Sequence, residues 1–247
     1  MERGWQRIGP DDRIAAWAAA ALPVARQVLA ESADDWRCGG TWFVGVDALP
    51  NGPTGQIAGT AFPWQALPLS PEPLHPAQLS VIKPGYPQPS EAESATAFRF
   101  RQTRDAAHLD GLLPIGPDKR RMIREPHAWI LGVALNACGE GASPLTVWEG
   151  SHAIIAKALC EALAPYPPAI WDQIDVTEAY QAARRQVFAT CPRVALPIGP
   201  GEATLLHRHL IHGVAPWQPG AKAPPEGRII AYLRPQMGSV AQWLEPT

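Results

Sequence analysis

Short apolar runs separated by glycine and proline constrain the fold of this chain more than any other feature. Its 247 residues include 21 glycines and 28 prolines, which leave little room for long helices over most of the sequence. Runs rich in β-branched and aromatic residues, bounded by such turn residues, are typical of strands. The predicted strands are 41–49, 57–62, 79–82, 97–103, 128–135, 145–148, 193–196, 203–210 and 228–233.

Helical patterns are confined to two regions of the chain. Residues 11–31 carry apolar side chains at helical spacing, and acidic residues that can cap a helix stand at their start. Pro23 is expected to kink or split this N-terminal helix, because proline lacks a backbone N–H donor. The second helical region is an insertion that covers about 152–188.

The order of these elements predicts the fold class. Core strands at about 41–148 and about 193–234 flank the helical insertion, and this order favours a sandwich or barrel over a βαβ fold. We therefore predict a mainly β chain with added helices, built on a double-stranded β-helix, that is, a cupin-like jelly roll. We expect residues 1–247 to form a single domain.

Composition narrows the classes of partner. The formal net charge is −2 and no basic stripe stands out, so nucleic acid is not an expected partner. No apolar run approaches the roughly 20 residues that a membrane span needs, so a membrane is not expected either. The four cysteines lack metal-site spacing and suit a reducing compartment. We predict a cytoplasmic protein, and the oligomeric state does not follow from the sequence.

The tripeptide His108-Leu109-Asp110 is the first candidate metal site. In an extended segment, residues i and i+2 project from the same face, so one imidazole and one carboxylate can reach the same ion. A histidine from a distant strand would complete a two-His, one-carboxylate facial triad, which leaves coordination positions open on Fe(II). The alternative interpretation of the tripeptide alone is a polar turn at the end of a strand, because such short motifs also occur by chance.

Three histidines in residues 205–216 supply candidates for the third ligand. Along one strand, His207 and His209 share a face while His212 lies on the other, so the three are not expected to bind one ion. His212 precedes Gly213, where we expect a strand to end at the mouth of a barrel. Ligands bind at such mouths, which favours His212.

An arginine near the end of the chain is the candidate anion clamp. Arg228 opens the last predicted strand, and a buried guanidinium can pair with a carboxylate through two hydrogen bonds. Arg234 has the same strand parity and is the alternative. The basic residues at 119–124 are interpreted as a solvated turn, with a clamp for an anionic substrate as the alternative.

Together these motifs resemble the phytanoyl-CoA dioxygenase family. The matching elements follow the family order over residues 98–234: H-x-D at 108–110, P-L-x-V-x-x-G-S-H at 144–152, L-I-H-G at 210–213, and then Arg228. The resemblance implies a jelly-roll core and a non-haem iron site, with His108, Asp110 and His212 as metal ligands and catalytic residues. It also implies that Arg228 binds the far carboxylate of 2-oxoglutarate. Val214 departs from the family pattern, which usually has a small polar residue there.

The resemblance also implies a reaction. Members use Fe(II), 2-oxoglutarate and O₂ to hydroxylate a small-molecule substrate at an unactivated C–H bond, with release of succinate and CO₂. Related halogenases lack the carboxylate ligand, so Asp110 favours hydroxylation. Two alternatives stay open: a cupin-like Zn or Mn enzyme with an additional ligand such as His207 or His152, and a non-catalytic binding protein on the same fold.

Overall fold

Short strands dominate the folded chain, of which a computed structural model describes residues 1–33, 36–91 and 93–245. The strands are β1 (Trp5–Ile8), β2 (Trp42–Leu49), β3 (Ala77–Ile82), β4 (Leu112–Ile115), β5 (Arg120–Ile123), β6 (Trp129–Ala134), β7 (Leu145–Trp148), β8 (Arg193–Leu196), β9 (Ala203–His207), β10 (His212–Val214) and β11 (Arg228–Leu233). The α-helices are α1 (Asp12–Glu31), α2 (Arg37–Gly40), α3 (Ala95–Arg104), α4 (Ser151–Leu163), α5 (Thr177–Thr190) and α6 (Val240–Leu244). Short 3₁₀ turns lie at Trp64–Ala66 and Pro168–Gln173.

Two antiparallel sheets form the body of the molecule. The larger has the strand order β1-β9-β6-β11-β3-β2, and the smaller has the order β10-β7-β8. Strands β4 and β5 form a separate hairpin. Sequence neighbours such as β6 and β7 lie in different sheets, which is the arrangement expected of a jelly roll. The helices α4 and α5 fall between β7 and β8, where the insertion was predicted.

Apolar side chains fill the space between the two sheets. Ile130 and Ile230 from the larger sheet cluster with Leu145 and Val147 from the smaller one. The opposite face of the larger sheet is covered by α1, whose Trp17 packs with Leu131 and its neighbours. Because β6 and β11 are buried on both faces, their sequences are continuous apolar runs rather than alternating ones.

The N-terminal helix runs unbroken through Pro23. Asp11 caps α1 by accepting a hydrogen bond from the backbone N–H of Arg13 at 2.8 Å. The predicted split at Pro23 is wrong, because small buried residues on either side of it, Ala21 and Ala25, keep the helix packed on the sheet. None of the helices within the described ranges is long and apolar enough to cross a membrane.

Two of the predicted strands are absent. Residues 97–103 lie in α3, because the Ser94 hydroxyl caps the helix by accepting from the N–H of Ala97 at 3.2 Å and Arg101 pairs with Glu93 at 2.8 Å. The H-x-D tripeptide therefore follows a helix rather than a strand. Residues 57–62 form a turn with a single bridge between Ile57 and Thr60 instead of a strand.

Candidate metal centre

A pair of backbone hydrogen bonds brings the two distant histidines side by side. The N–H of His108 donates to the carbonyl of His212 at 2.9 Å, and the N–H of His212 donates back at 3.1 Å. This antiparallel bridge joins the segment after α3 to the start of β10. The two imidazole rings lie 4.6 Å apart, so both can reach one ion.

Asp110 completes the group. Its Oδ1 lies 3.2 Å from Nε2 of His108 and 3.6 Å from Nε2 of His212. One ligand atom from each of the three residues lies within 4.8 Å of the others, and no further group of three or more metal-ligating side chains is found in the described ranges. The three residues predicted from the sequence are thus brought together, in the ligand set of a two-His, one-carboxylate site.

A backbone carbonyl sets the orientation of each of the two imidazole rings. Nδ1 of His108 lies 3.0 Å from the carbonyl of Ala106, and Nδ1 of His212 lies 3.0 Å from that of Leu210. An Nδ1–H that donates to a carbonyl orients the ring so that Nε2 can bind a metal through its lone pair, which in His108 requires release of the proton shared with Asp110. The Nε2 atoms are the ones that face Asp110, so the residues present fit a divalent cation.

Burial and mutual contacts shift the pKa of all three residues. Burial raises the pKa of Asp110, but the hydrogen bond with His108 and the nearby cations outweigh it, so its pKa lies well below the usual range. Burial and the neighbouring His108 lower the pKa of His212 to about 4. Burial lowers the pKa of His108, but its hydrogen bond to Asp110 more than compensates, and the net pKa is raised. At neutral pH the site therefore offers a carboxylate and the neutral imidazole of His212.

Residues of the G-S-H motif at 150–152 and the L-I-H-G motif at 210–213 hold His212 in place through backbone contacts. His212 begins β10 rather than ending a strand, and it pairs with Val147 of β7. The Ser151 hydroxyl accepts a hydrogen bond from the N–H of Ile211 at 2.9 Å, so this serine holds the approach to β10 rather than capping α4. A Cβ at Gly213 would lie 2.3 Å from the carbonyl of Asp105, so only glycine allows this close approach.

The triad lies on the wall of a cavity between the sheets. This cavity, of about 210 Å³, is lined by strands of both sheets and by His108, Asp110 and His212. Arg234 also lines it and is committed to the triad, because its Nη1 donates to Oδ2 of Asp110 at 3.2 Å. The two oxygens of Asp110 are thus divided, with Oδ1 facing the histidines and Oδ2 held by Arg234.

Arg228 occupies a neighbouring cavity of about 220 Å³ rather than the triad's own. Only 6% of the residue is exposed, and its Nε and Nη2 are buried without a hydrogen-bond partner. Tyr232 and Leu145 line both cavities, and the Tyr232 hydroxyl interacts with the guanidinium of Arg228. Sequence reasoning missed Tyr232, although its strand parity matches that of Arg228 and Arg234.

The remaining histidines of residues 205–216 belong to a second cluster. The ring of His207 lies 4.8 Å from that of His152 and 5.2 Å from that of His209, and His209 packs edge-to-face on Trp243 at 4.3 Å. The strand predicted over 203–210 is too long, because β9 ends at His207, so His209 and His212 do not lie on the same strand as His207. None of these three histidines joins the triad, so no fourth ligand is supplied from them.

Acid is expected to destabilise the folded chain through this second cluster. Burial lowers the pKa of His209 to about 3, whereas an unfolded histidine has a pKa of about 6.5. The unfolded chain therefore binds the extra proton first, and the free energy of unfolding falls as the pH drops from about 6.5 towards 3, by about 1.4 kcal/mol per pH unit for this residue. Urea unfolding of His209→Phe between pH 4 and 6 should show a shallower pH dependence than wild type, and an identical slope would contradict this assignment.

Comparisons with known proteins bear on the fold. No protein-family model and no curated protein sequence matches the chain. Among solved structures, it is similar to the epimerase SnoN from nogalamycin biosynthesis, in complex with Fe³⁺, alpha ketoglutarate and nogalamycin RO, with a TM-score of 0.52 and 19% identity over 94% of this chain and 78% of that chain. The carbocyclase SnoK has a TM-score of 0.48 and 15% identity over 95% of this chain and 80% of that chain. EctD from S. alaskensis with bound Fe has a TM-score of 0.45 and 18% identity over 94% of this chain and 72% of that chain. The chain thus has the mainly β, cupin-like jelly-roll fold of SnoN, a non-heme alpha ketoglutarate dependent enzyme.

Proposed function

We propose that the chain is a non-haem Fe(II)- and 2-oxoglutarate-dependent dioxygenase that hydroxylates a small-molecule substrate. The observation that carries the proposal is the triad itself, in which His108, Asp110 and His212 converge with both Nε2 atoms facing one carboxylate oxygen. Three protein ligands leave positions open for a chelating cosubstrate and O₂. The phytanoyl-CoA dioxygenase resemblance stays a prediction within this proposal.

In this proposal the chain binds and orients, and the bound groups react. When bound, Fe(II), 2-oxoglutarate and O₂ supply the oxidising power that hydroxylates an unactivated C–H bond and releases succinate and CO₂. His108, Asp110 and His212 hold the metal at the wall of the cavity between the sheets. Arg234 orients Asp110 through its hydrogen bond to Oδ2, and its charge adds to the lowering of the Asp110 pKa that the hydrogen bond with His108 dominates.

Arg228 is the proposed partner of the far carboxylate of 2-oxoglutarate. Two buried donor nitrogens without a partner are costly in a folded protein, and a bound carboxylate would satisfy both. Tyr232 lines both the triad's cavity and that of Arg228, so the cosubstrate would extend along its ring. Arg234 is the weaker candidate for this role because Asp110 already accepts its hydrogen bond.

Anaerobic titration of the metal-free protein with Fe(II) and 2-oxoglutarate tests this assignment. A visible metal-to-ligand charge-transfer band is expected for wild type, and Arg228→Met should weaken 2-oxoglutarate binding about 10- to 100-fold by removing a charge-assisted pair. Arg234→Gln is the matched comparison, and its main effect should fall on Fe(II) affinity. If Arg228→Met leaves 2-oxoglutarate affinity unchanged and Arg234→Gln weakens it, Arg234 rather than Arg228 would be the partner of the 2-oxoglutarate carboxylate.

The same titration separates the alternatives. A cupin-like Zn or Mn enzyme would bind its metal without any 2-oxoglutarate-dependent band. Such an enzyme would also need a fourth ligand, and the described residues place none beside the triad. A non-catalytic binding protein would form no succinate with any substrate. Hydroxylation itself is tested by the mass of the product, which should increase by one oxygen atom.

A further inference from the structure

A third cavity, of about 300 Å³, also has His108 and Asp110 as part of its wall. Its other walls come from outside the two sheets, from the hairpin β4–β5 and from α5. It therefore differs from the strand-lined cavity that also meets the triad. A group bound here would lie beside the metal ligands without occupying the space between the sheets.

Three arginines and one further carboxylate give this cavity its charge. Arg121, Arg184 and Arg234 line it, together with Glu125 and the ligand Asp110. Arg234 is paired with Asp110, but within the described ranges Arg121 and Arg184 form no ion pair with a carboxylate. With Asp110 committed to a divalent cation, the cavity would carry a net positive charge, which attracts anions.

The arginines in and next to the β4–β5 hairpin face different directions. Arg120 and Arg124 point to the surface, where they pair with Asp175 and Asp172 at 3.2 and 3.6 Å. Arg121, between them, faces the cavity instead. The turn predicted for residues 119–124 is wrong for residues 120–123, which form β5, although Arg120 and Arg124 are exposed to solvent as expected.

Both unpaired guanidinium groups are held in place by their neighbours. Nη1 of Arg121 lies 3.4 Å from the carbonyl of Leu112, and its backbone N–H donates to the Thr177 hydroxyl at 2.7 Å. The guanidinium of Arg184 lies over the ring of Phe100 at 4.9 Å and near that of Tyr180 at 5.6 Å. The guanidinium of Arg184 also hydrogen-bonds with the Tyr180 hydroxyl, and stacking on ring faces leaves its remaining in-plane N–H groups available to an anion.

We propose that Arg121 and Arg184 bind an anionic group of the substrate, a carboxylate or a phosphate, in this cavity. The inference rests on the proposed function, because the cavity is assigned to the substrate on account of its contact with the metal ligands. The ring of Tyr180 lines the same cavity and offers an apolar surface beside the two cations. The substrate would thus be anchored at its charged end, with its carbon skeleton directed towards His108 and Asp110.

Isothermal titration calorimetry under anaerobic conditions tests the proposal with the Fe(II)-loaded chain and saturating 2-oxoglutarate. The probes are phenyl phosphate, phenylacetate and the neutral phenylacetamide. At least one anion should bind ten or more times more tightly than the amide, and which anion binds better distinguishes phosphate from carboxylate. Arg121→Gln and Arg184→Gln should each weaken that anion about 10-fold, because each removes a charge-assisted hydrogen bond.

Two variants serve as controls for these substitutions. Arg185→Gln changes the exposed neighbour on the same helix and should leave the affinity unchanged, and Arg184→Lys should recover part of it by restoring the charge. Equal binding of the amide, or anion binding that is insensitive to both arginines, would overturn the proposal even if the charge-transfer band is present. Arginine-dependent anion binding without any such band would instead support the anion site and overturn the oxygenase assignment.

Discussion

Replacing Asp110 by Asn is expected to weaken Fe(II) binding by about 100-fold or more and to abolish succinate formation. Residues that only support a metal ligand typically contribute 10- to 100-fold in metal affinity, and Asp110 is the sole carboxylate of the proposed ligand set. The amide keeps the size of the side chain and an oxygen that can accept from Arg234. The loss would therefore come from the charge rather than from a collapse of the site.

Anaerobic competition with a colorimetric Fe(II) chelator measures this loss. Asp118→Asn is the matched control, since it removes a carboxylate from the exposed turn between β4 and β5 and should leave Fe(II) affinity unchanged. Circular dichroism should show the same secondary structure for Asp110→Asn as for wild type. Wild-type Fe(II) affinity in a folded Asp110→Asn variant would remove the triad as the metal site.

Replacing Trp17 by Ala is expected to lower the free energy of unfolding by about 3–5 kcal/mol. The indole is fully buried where α1 packs on the larger sheet, and its ring meets that of Phe62 edge-to-face at 5.3 Å. Its Nε1–H donates to the carbonyl of Gly55 at 2.9 Å, so the substitution also leaves a buried acceptor unpaired. A large cavity and a lost hydrogen bond act together at this position.

Urea unfolding followed by far-ultraviolet circular dichroism checks the prediction. Trp17→Phe retains an aromatic ring and loses the hydrogen bond, and it should destabilise by a smaller amount, about 1–2 kcal/mol. Near-equal effects of the two substitutions would contradict the importance of the cavity. A change below about 1 kcal/mol in Trp17→Ala would mean that α1 contributes little to the stability of the sheet.

Continuous apolar runs were the most predictive part of the sequence. Residues 128–135, 145–148 and 228–233 correspond closely to β6, β7 and β11, because strands buried on both faces cannot be confused with surface loops. The alternation of aromatic residues and arginines at 97–103 led to a wrong strand prediction. In α3, Phe100 packs against Phe188 of α5, and Arg101 forms an ion pair with Glu93. A capping serine was the local signal for this helix, and it lay just outside the alternating segment.

The three residues of the candidate metal centre could be picked out from the sequence because each lies in a short motif with a local geometric requirement. Their mutual approach depends on the backbone bridge between His108 and His212, which joins residues far apart in the sequence and has no local signature. Arg184 could not be found for a related reason. It lies on a helix whose sequence reads as an ordinary amphipathic segment, and only the packing of that helix beside the hairpin brings it to the cavity.

The two arginines of the third cavity come from elements outside the two main sheets, and this has a consequence for protein engineering. The triad rests on a backbone bridge and on β10, whereas Arg121 and Arg184 belong to a hairpin and a helix outside both sheets. Loops and helices attached to a rigid scaffold tolerate exchange better than the scaffold itself. Grafting a different hairpin and α5 onto this chain should thus alter which molecules it accepts while the triad and its backbone bridge are inherited intact.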